Sequence, residues 1–130
     1  MDMEIKFPGG KKVDAIYKGF TIKTDQPEHE GGEGTAPDPF SLFLISIGTC
    51  AGFYVLNFCQ KRNINTYELK MILRTEINME THMINKISIE IQLPKDFPDS
   101  YKNAILKTAG LCAVKKHLEK PPTIDISLKK

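Results

Sequence analysis

The chain has no tryptophan and only two arginines, Arg62 and Arg74. Its charge is nearly balanced, at a net +2, and lysines cluster only as the pairs Lys11-Lys12, Lys115-Lys116 and Lys129-Lys130. Pairs of this kind form solvated surface rather than the basic stripe of a nucleic-acid binder, so no nucleic-acid partner is expected. Cysteine is sparse and odd in number, with Cys50, Cys59 and Cys112 only. No CxxC pair or His/Cys cluster occurs, which argues against a structural zinc site, and no metal is expected. The acidic start Met1-Asp2-Met3-Glu4 does not read as a secretory signal. A reducing, cytoplasmic setting is expected, where cysteines are buried or redox-active rather than permanent staples.

Charge is also missing from one long stretch: none occurs from Pro39 to Gln60. The run is long enough to cross a bilayer. It contains Ser41, Ser46, Gly48, Thr49, Gly52, Asn57 and Gln60, however, and the rest of the chain is amphipathic. It reads instead as a helix buried on all sides in a protein core, with a second subunit covering one face. No membrane association is expected.

With 41% hydrophobic and 26% charged residues, the 130 residues have the composition of a soluble, globular single domain, 1–130. Met3, Ile5 and Phe7 alternate with polar residues, as do Val13, Ala15 and Tyr17. The turns Pro8-Gly9-Gly10 and Lys18-Gly19 separate these from Phe20-Thr21-Ile22-Lys23, predicting an antiparallel meander. Residues 24–38 carry three glycines and two prolines and read as a loop. Asp38-Pro39 has the form of an N-cap followed by a first helical position, with Asn63 able to end the helix after Arg62. Two strands follow, over 67–77 and 84–93. A second helix is predicted from Pro98 or Asp99 to Glu119, stopped by Pro121-Pro122, and a last strand over Thr123–Leu128. The order βββ-α-ββ-α-β points to an α+β fold with a largely antiparallel sheet.

Cys50 and Cys59 lie nine residues apart on one helix, so they fall on opposite faces and out of disulfide reach. Cys112 shares an apolar face with Tyr101, Ile105 and Ala109, and packing could bring it against either Cys50 or Cys59. Cys50 is the better reactive candidate, because Gly48, Thr49, Ala51 and Gly52 leave room around it. The competing reading is that all three cysteines are small hydrophobes of the core. A mid-helix thiol has no helix terminus to lower its pKa, so a cation from elsewhere is expected to do so. His29, His82 and His117 read as surface residues, although a Cys–His pair with His29 is conceivable chemistry.

The segment GGEGTAPDPFSLFLISIGTC resembles the hallmark of the OsmC/Ohr family, the osmotically inducible and organic-hydroperoxide-resistance proteins. LKTAGLCAVKKHLEKPPTIDISL is similar to that family's C-terminal helix, second cysteine and final strand. The resemblance implies an OsmC/Ohr-like fold: an intertwined homodimer with sheets wrapped around long central helices. It implies a peroxidase in which Cys50 attacks an organic hydroperoxide and Cys112 resolves the resulting sulfenic acid. It also implies no bound cofactor, and resetting by an external dithiol such as a lipoylated protein. Family peroxidases carry a glutamate ten residues before the first cysteine, where this chain has Phe40, and an arginine that pairs with the thiolate. Lys11, Lys12 or Arg74 are the expected substitutes for that arginine, and Phe40 and Thr49 are expected in the pocket. Two other functions compete. One is a non-peroxidase thiol protein that binds or carries a small electrophile, sulfur species or apolar ligand. The other is a structural dimer with inert cysteines.

Overall fold

A computed structural model describes all 130 residues and divides them into two compact units, Met1–Ile45 and Ser46–Lys130. In the N-terminal unit, β1 (Glu4–Gly9), β2 (Lys12–Tyr17) and β3 (Phe20–Thr24) form the expected antiparallel meander in the order β1-β2-β3. Tyr17 pairs with Phe20 across a two-residue connection in which Lys18 (φ 47°) and Gly19 (φ 82°) are both left-handed. That is the turn whose twist matches a hairpin.

The segment after β3 is an ordered loop built on a buried carboxylate. Asp25 accepts hydrogen bonds from the backbone N–H of Gln26 (2.8 Å) and Thr35 (3.1 Å) and from the Thr35 hydroxyl (2.7 Å). Its own N–H donates to Pro37 O (3.2 Å). These donors, led by the Thr35 hydroxyl, lower the Asp25 pKa to about 2. A single helical turn, Glu28–Glu30, lies inside the loop, and Gly32 and Gly34 donate back to Pro27 O and Gln26 O. A Cβ on Gly32 would lie 1.9 Å from Gln26 O, so only glycine fits there. Gly32→Ala is expected to lower the unfolding free energy by about 3 kcal/mol in a denaturant titration. A change under about 0.5 kcal/mol would show that the loop yields easily.

Helix α1 spans Pro39–Lys61 and starts as the sequence indicates. Asp38 accepts from the Ser41 N–H (3.2 Å) and hydroxyl, and Leu42 N–H donates to Asp38 O. Asn63, at φ 54°, turns the chain away from the helix. The helix has the length and apolarity to cross a membrane, but a family of residues on one face is buried in protein: Ile47, Ala51, Val55, Phe58 and Cys59. The expectation of burial on all sides is not met within one chain, since Phe53 is 60% and Leu56 38% exposed.

In the C-terminal unit, β4 (Lys70–Ile77) and β5 (Ile84–Gln92) form an antiparallel hairpin. Val55, Phe58, Cys59, Phe97 and Ile105 make the core, flanked by Leu69, Met71, Ile91 and Leu93. Tyr101 meets Phe58 edge-on at 5.8 Å, and the Arg62 guanidinium lies 3.7 Å from the Phe58 ring centre. Arg62 also donates to Phe58 O (3.2 Å), so this arginine caps the end of α1.

Two expectations for the C-terminal third are corrected. The second helix is not continuous. After a helical turn at Asp99–Tyr101 it runs as α2 (Lys102–Ala109), breaks, and resumes as α3 (Ala113–Glu119). At the break, Gly110 N–H is shared among the carbonyls of Leu106, Lys107 and Thr108, and Leu111 N–H returns to Thr108 O. Residues 123–128 are not a strand within this chain: they pair with nothing, and Ile124, Ile126 and Leu128 are more than four-fifths exposed. The α+β class stands, with the observed order βββ-α-ββ-α-α.

Candidate functional site

The break between α2 and α3 positions the thiols. Cys112 is the residue before α3, in an extended conformation (φ −52°, ψ 128°) that leaves the first N–H groups of α3 without helical acceptors. Cys50, on the fourth turn of α1, is half-buried and sits against this terminus. The Val114 N–H donates to the Cys50 sulfur, the Cys112 thiol donates to it as well, and Ala113 N–H adds a third hydrogen bond. These contacts, Val114 first, hold the Cys50 pKa below its ordinary value despite some desolvation.

Cys112 responds in the opposite direction. It is 2% exposed, and burial pushes its pKa up, helped by the hydrogen bond it gives to Cys50. The pair is thus one thiol made more acidic and one made less acidic, in contact with each other. Cys59 is elsewhere, buried in the core with its pKa raised by desolvation, which Arg62 offsets in part. The alternative pairing of Cys112 with Cys59 is not what forms.

The sequence did not show that the backbone N–H groups of Ala113 and Val114 act on the Cys50 sulfur. A helix terminus does act on Cys50, but it belongs to α3 rather than to α1. The available signal was Gly110, a helix breaker inside an otherwise periodic pattern. Two of the three candidate cations form ion pairs within this chain. Arg74 pairs with Glu90 (3.3 Å) on an exposed face of the β4–β5 hairpin. Lys12 pairs with Glu33 (3.2 Å) and Lys11 lies beside Gly31, both within the N-terminal unit. Phe40 is 54% exposed and stacks on Phe43 at 5.5 Å, also in that unit. Thr49 adjoins Cys50 in sequence, and its hydroxyl lies 3.5 Å from Ser46 O.

Space around Cys50 is used by the hairpin. A Cβ at Gly48 would meet Leu73 at 3.5 Å and one at Gly52 would meet Met71 at 3.8 Å, so the two glycines let β4 side chains approach α1. A cavity of about 310 Å³ adjoins the thiol pair on one side. Its walls are Ile47 and Ala51 of α1, Ile87, Ile89 and Ile91 of β5, and residues from Leu106 to Leu118, including Cys112 and Lys115. No group of three or more His, Cys, Asp or Glu side chains is placed to hold a metal ion.

Residues 32–127 match the sequence profile of the OsmC-like protein family. No curated protein sequence matches the chain. Among solved structures, a Psychrobacter arcticus 273-4 protein of osmotic stress and detoxification response is similar at 20% identity and a TM-score of 0.73. That match covers 88% of this chain and 85% of that one. An OsmC-like protein from Mycoplasma pneumoniae is similar at 15% identity and a TM-score of 0.71, over 92% of this chain and 87% of that one. A Legionella pneumophila structure described as an organic hydroperoxide resistance protein OsmC is similar at 17% identity and a TM-score of 0.54. It covers 91% of this chain and 89% of that one. The chain belongs to the OsmC-like protein family.

Proposed function

We propose that this chain of the OsmC-like family reduces organic hydroperoxides through Cys50, with Cys112 as the resolving thiol. The contact between a Cys50 sulfur held toward thiolate and a buried Cys112 thiol supports this reading most directly. The Cys50 thiolate attacks one peroxide oxygen and the O–O bond breaks. Sulfur is oxidised to sulfenic acid, and the alkoxide leaves with a proton as the alcohol. The Cys112 sulfur then attacks the sulfenic sulfur, forming a disulfide and releasing water. An external dithiol returns both cysteines to thiols and is itself oxidised to a disulfide. No bound cofactor enters this cycle, and it suits a reducing cytoplasm.

Phe40 takes the place of the carboxylate that family peroxidases use to orient an arginine, and an aromatic ring cannot orient a guanidinium. Activation by the Ala113 and Val114 N–H groups stands in for that pair, less strongly than a full cation would. The enzyme is therefore expected to be a weaker peroxidase than members with the complete set, and to prefer bulky organic hydroperoxides to hydrogen peroxide. The same Phe40 favours a second reading, a thiol protein that binds or carries a small electrophile or apolar ligand. Thiol titration around one equivalent of cumene hydroperoxide separates them. The peroxidase loses two thiols per chain, mapped to Cys50 and Cys112, with Cys59 intact. The binding protein keeps all three, while one of them alkylates readily.

The active form is proposed to be a homodimer. Exposed Phe53 and Leu56 on α1 and the unpaired Ile124, Ile126 and Leu128 leave more apolar surface than a monomer of this size carries comfortably. Sedimentation at micromolar concentration should give twice the 14.7 kDa chain mass. A stable monomer would contradict the assembly. Removal of residues 121–130 should weaken the dimer, since it takes away the exposed alternating segment.

A further inference from the structure

Residues 78–83 connect β4 to β5, and three of their side chains take no part in holding the connection together. Asn78 N–H donates to Met83 O (2.8 Å), and His82 N–H donates to Asn78 O (2.8 Å). The Asn78 side-chain oxygen accepts from the N–H groups of Glu80 (2.9 Å) and Thr81 (3.0 Å). The Thr81 hydroxyl accepts from Met83 N–H (3.3 Å). These bonds fix the backbone and draw the two arms of the connection together. Met79 lies on one arm, with His82 and Met83 on the other.

The side chains of those three residues are left over. Met79 is 81% and Met83 68% exposed, so neither thioether is used in packing. His82 is also exposed, and its imidazole makes no hydrogen bond or ion pair within the chain. Its backbone is left-handed, at φ 59°, a conformation that glycine adopts most readily. A metal-ligating side chain therefore stands at a position whose backbone favours a residue without one.

We infer that Met79, His82 and Met83 form a binding site for a soft monovalent metal ion, Cu(I), held by two thioether sulfurs and one imidazole nitrogen. Thioether sulfur selects Cu(I) over hard cations, and imidazole is a good copper ligand. Zn²⁺ sites are built from thiolate, imidazole and carboxylate, and the connection has only His82 and the Glu80 carboxylate of these. Ca²⁺ and Mg²⁺ require a set of oxygens that one carboxylate does not supply. Methionine side chains are flexible and polarisable, so both sulfurs can close on an ion from an exposed turn. The site is independent of the thiol pair. None of its residues acts on Cys50 or Cys112 or lines the cavity beside them.

Thiols also bind Cu(I), so the test reads the site residue by residue. The full-length protein carries Cys50→Ser and Cys112→Ser, and Cys59 is buried in the core. It is labelled on the methyl groups of its five methionines and followed by NMR. Cu(I) is added without oxygen as its acetonitrile complex, and affinity is measured by competition with bicinchoninate. One equivalent is expected to move the Met79 and Met83 methyl signals and the His82 ring signals together, with Met1 and Met3 unmoved. Met79→Leu, Met83→Leu and His82→Asn should each weaken binding by at least about tenfold. Asparagine tolerates the left-handed backbone, and circular dichroism checks that each variant is folded. Zn²⁺ at the same concentration should leave the methionine signals in place. Met79 and Met83 signals that stay in place at one equivalent of Cu(I) overturn the inference. So does an affinity that His82→Asn leaves within about twofold, or a response to Zn²⁺ equal to that to Cu(I).

Discussion

Cys50→Ser is expected to abolish hydroperoxide turnover, a fall of about a thousandfold or more in a steady-state assay with cumene hydroperoxide and a dithiol. A hydroxyl in the place of the thiol has neither the acidity nor the polarisable lone pair that attacks an O–O bond. Cys112→Ser should behave differently. One equivalent of hydroperoxide should still be consumed, because Cys50 keeps the Ala113 and Val114 donors, and the product should be a persistent sulfenic acid that a dimedone-type probe captures. Cys59→Ala should leave the burst and the turnover within about twofold, since Cys59 belongs to the core and is not among the groups that act on Cys50 or Cys112. If Cys59→Ala instead abolished turnover in a folded protein, the assignment of the pair would be wrong.

The second large effect is expected from a residue that contributes only its backbone. Val114→Pro deletes the N–H that acts most strongly on the Cys50 sulfur. The position lies in the first turn of α3, where the missing N–H breaks no intrahelical bond and proline is tolerated. A hydrogen bond to a charged acceptor is worth about 1.5–3 kcal/mol. Its loss should raise the pH midpoint of Cys50 alkylation by about one and slow alkylation at neutral pH by about tenfold. Ala113→Pro, which removes a weaker donor and suits the extended Cys112 before it, should give a smaller shift of the same sign. Circular dichroism and a thermal melt guard against a change due to lost folding. The sign is fixed by the acid's charge: a group that stabilises the anion lowers the pKa, so its removal raises it. Arg74→Met should leave the midpoint in place, because Arg74 pairs with Glu90.

Much of the architecture was legible because short-range rules decided it. Lys18-Gly19 sets the β2–β3 register, Pro8 and Gly9 end β1 before a turn at Gly10-Lys11, and Asp38-Pro39 and Asn63 bound α1 to within a residue. The opposite faces of Cys50 and Cys59 followed from helical geometry alone, and the structure places the first against Cys112 and the second in the core. Identification of the thiol pair went further than periodicity could, since Cys112 was compatible with either partner until the helices were packed.

What was not legible depended on contacts between distant residues. The periodic face Tyr101, Ile105, Ala109, Cys112 continues through Gly110 as if one helix ran to Glu119, and a single glycine is a weak signal inside such a pattern. The break matters because it turns Cys112 into a helix-preceding residue and aims two N–H groups at a thiol far earlier in the chain. The start of α3 acts on Cys50 across the fold, so the sequence of α1 alone carries no sign of it. Residues 123–128 alternate as a strand should, yet a strand needs a neighbour, and this chain supplies none to Ile124, Ile126 and Leu128. Residues 24–38 read only as a loop from their glycines and prolines, and the pattern does not reveal that Asp25 and Thr35 knit it together across ten residues.

The measurement that bears most directly on this account is the pH dependence of iodoacetamide labelling, resolved by peptide mass for each cysteine in the reduced protein. Cys50 should label with a midpoint below the ordinary thiol value of about 8.5, and Cys112 and Cys59 above it, with Val114→Pro moving the Cys50 midpoint upward. Labelling of Cys50 at or above the ordinary value, unmoved by Val114→Pro, would contradict an activated thiolate held by the start of α3.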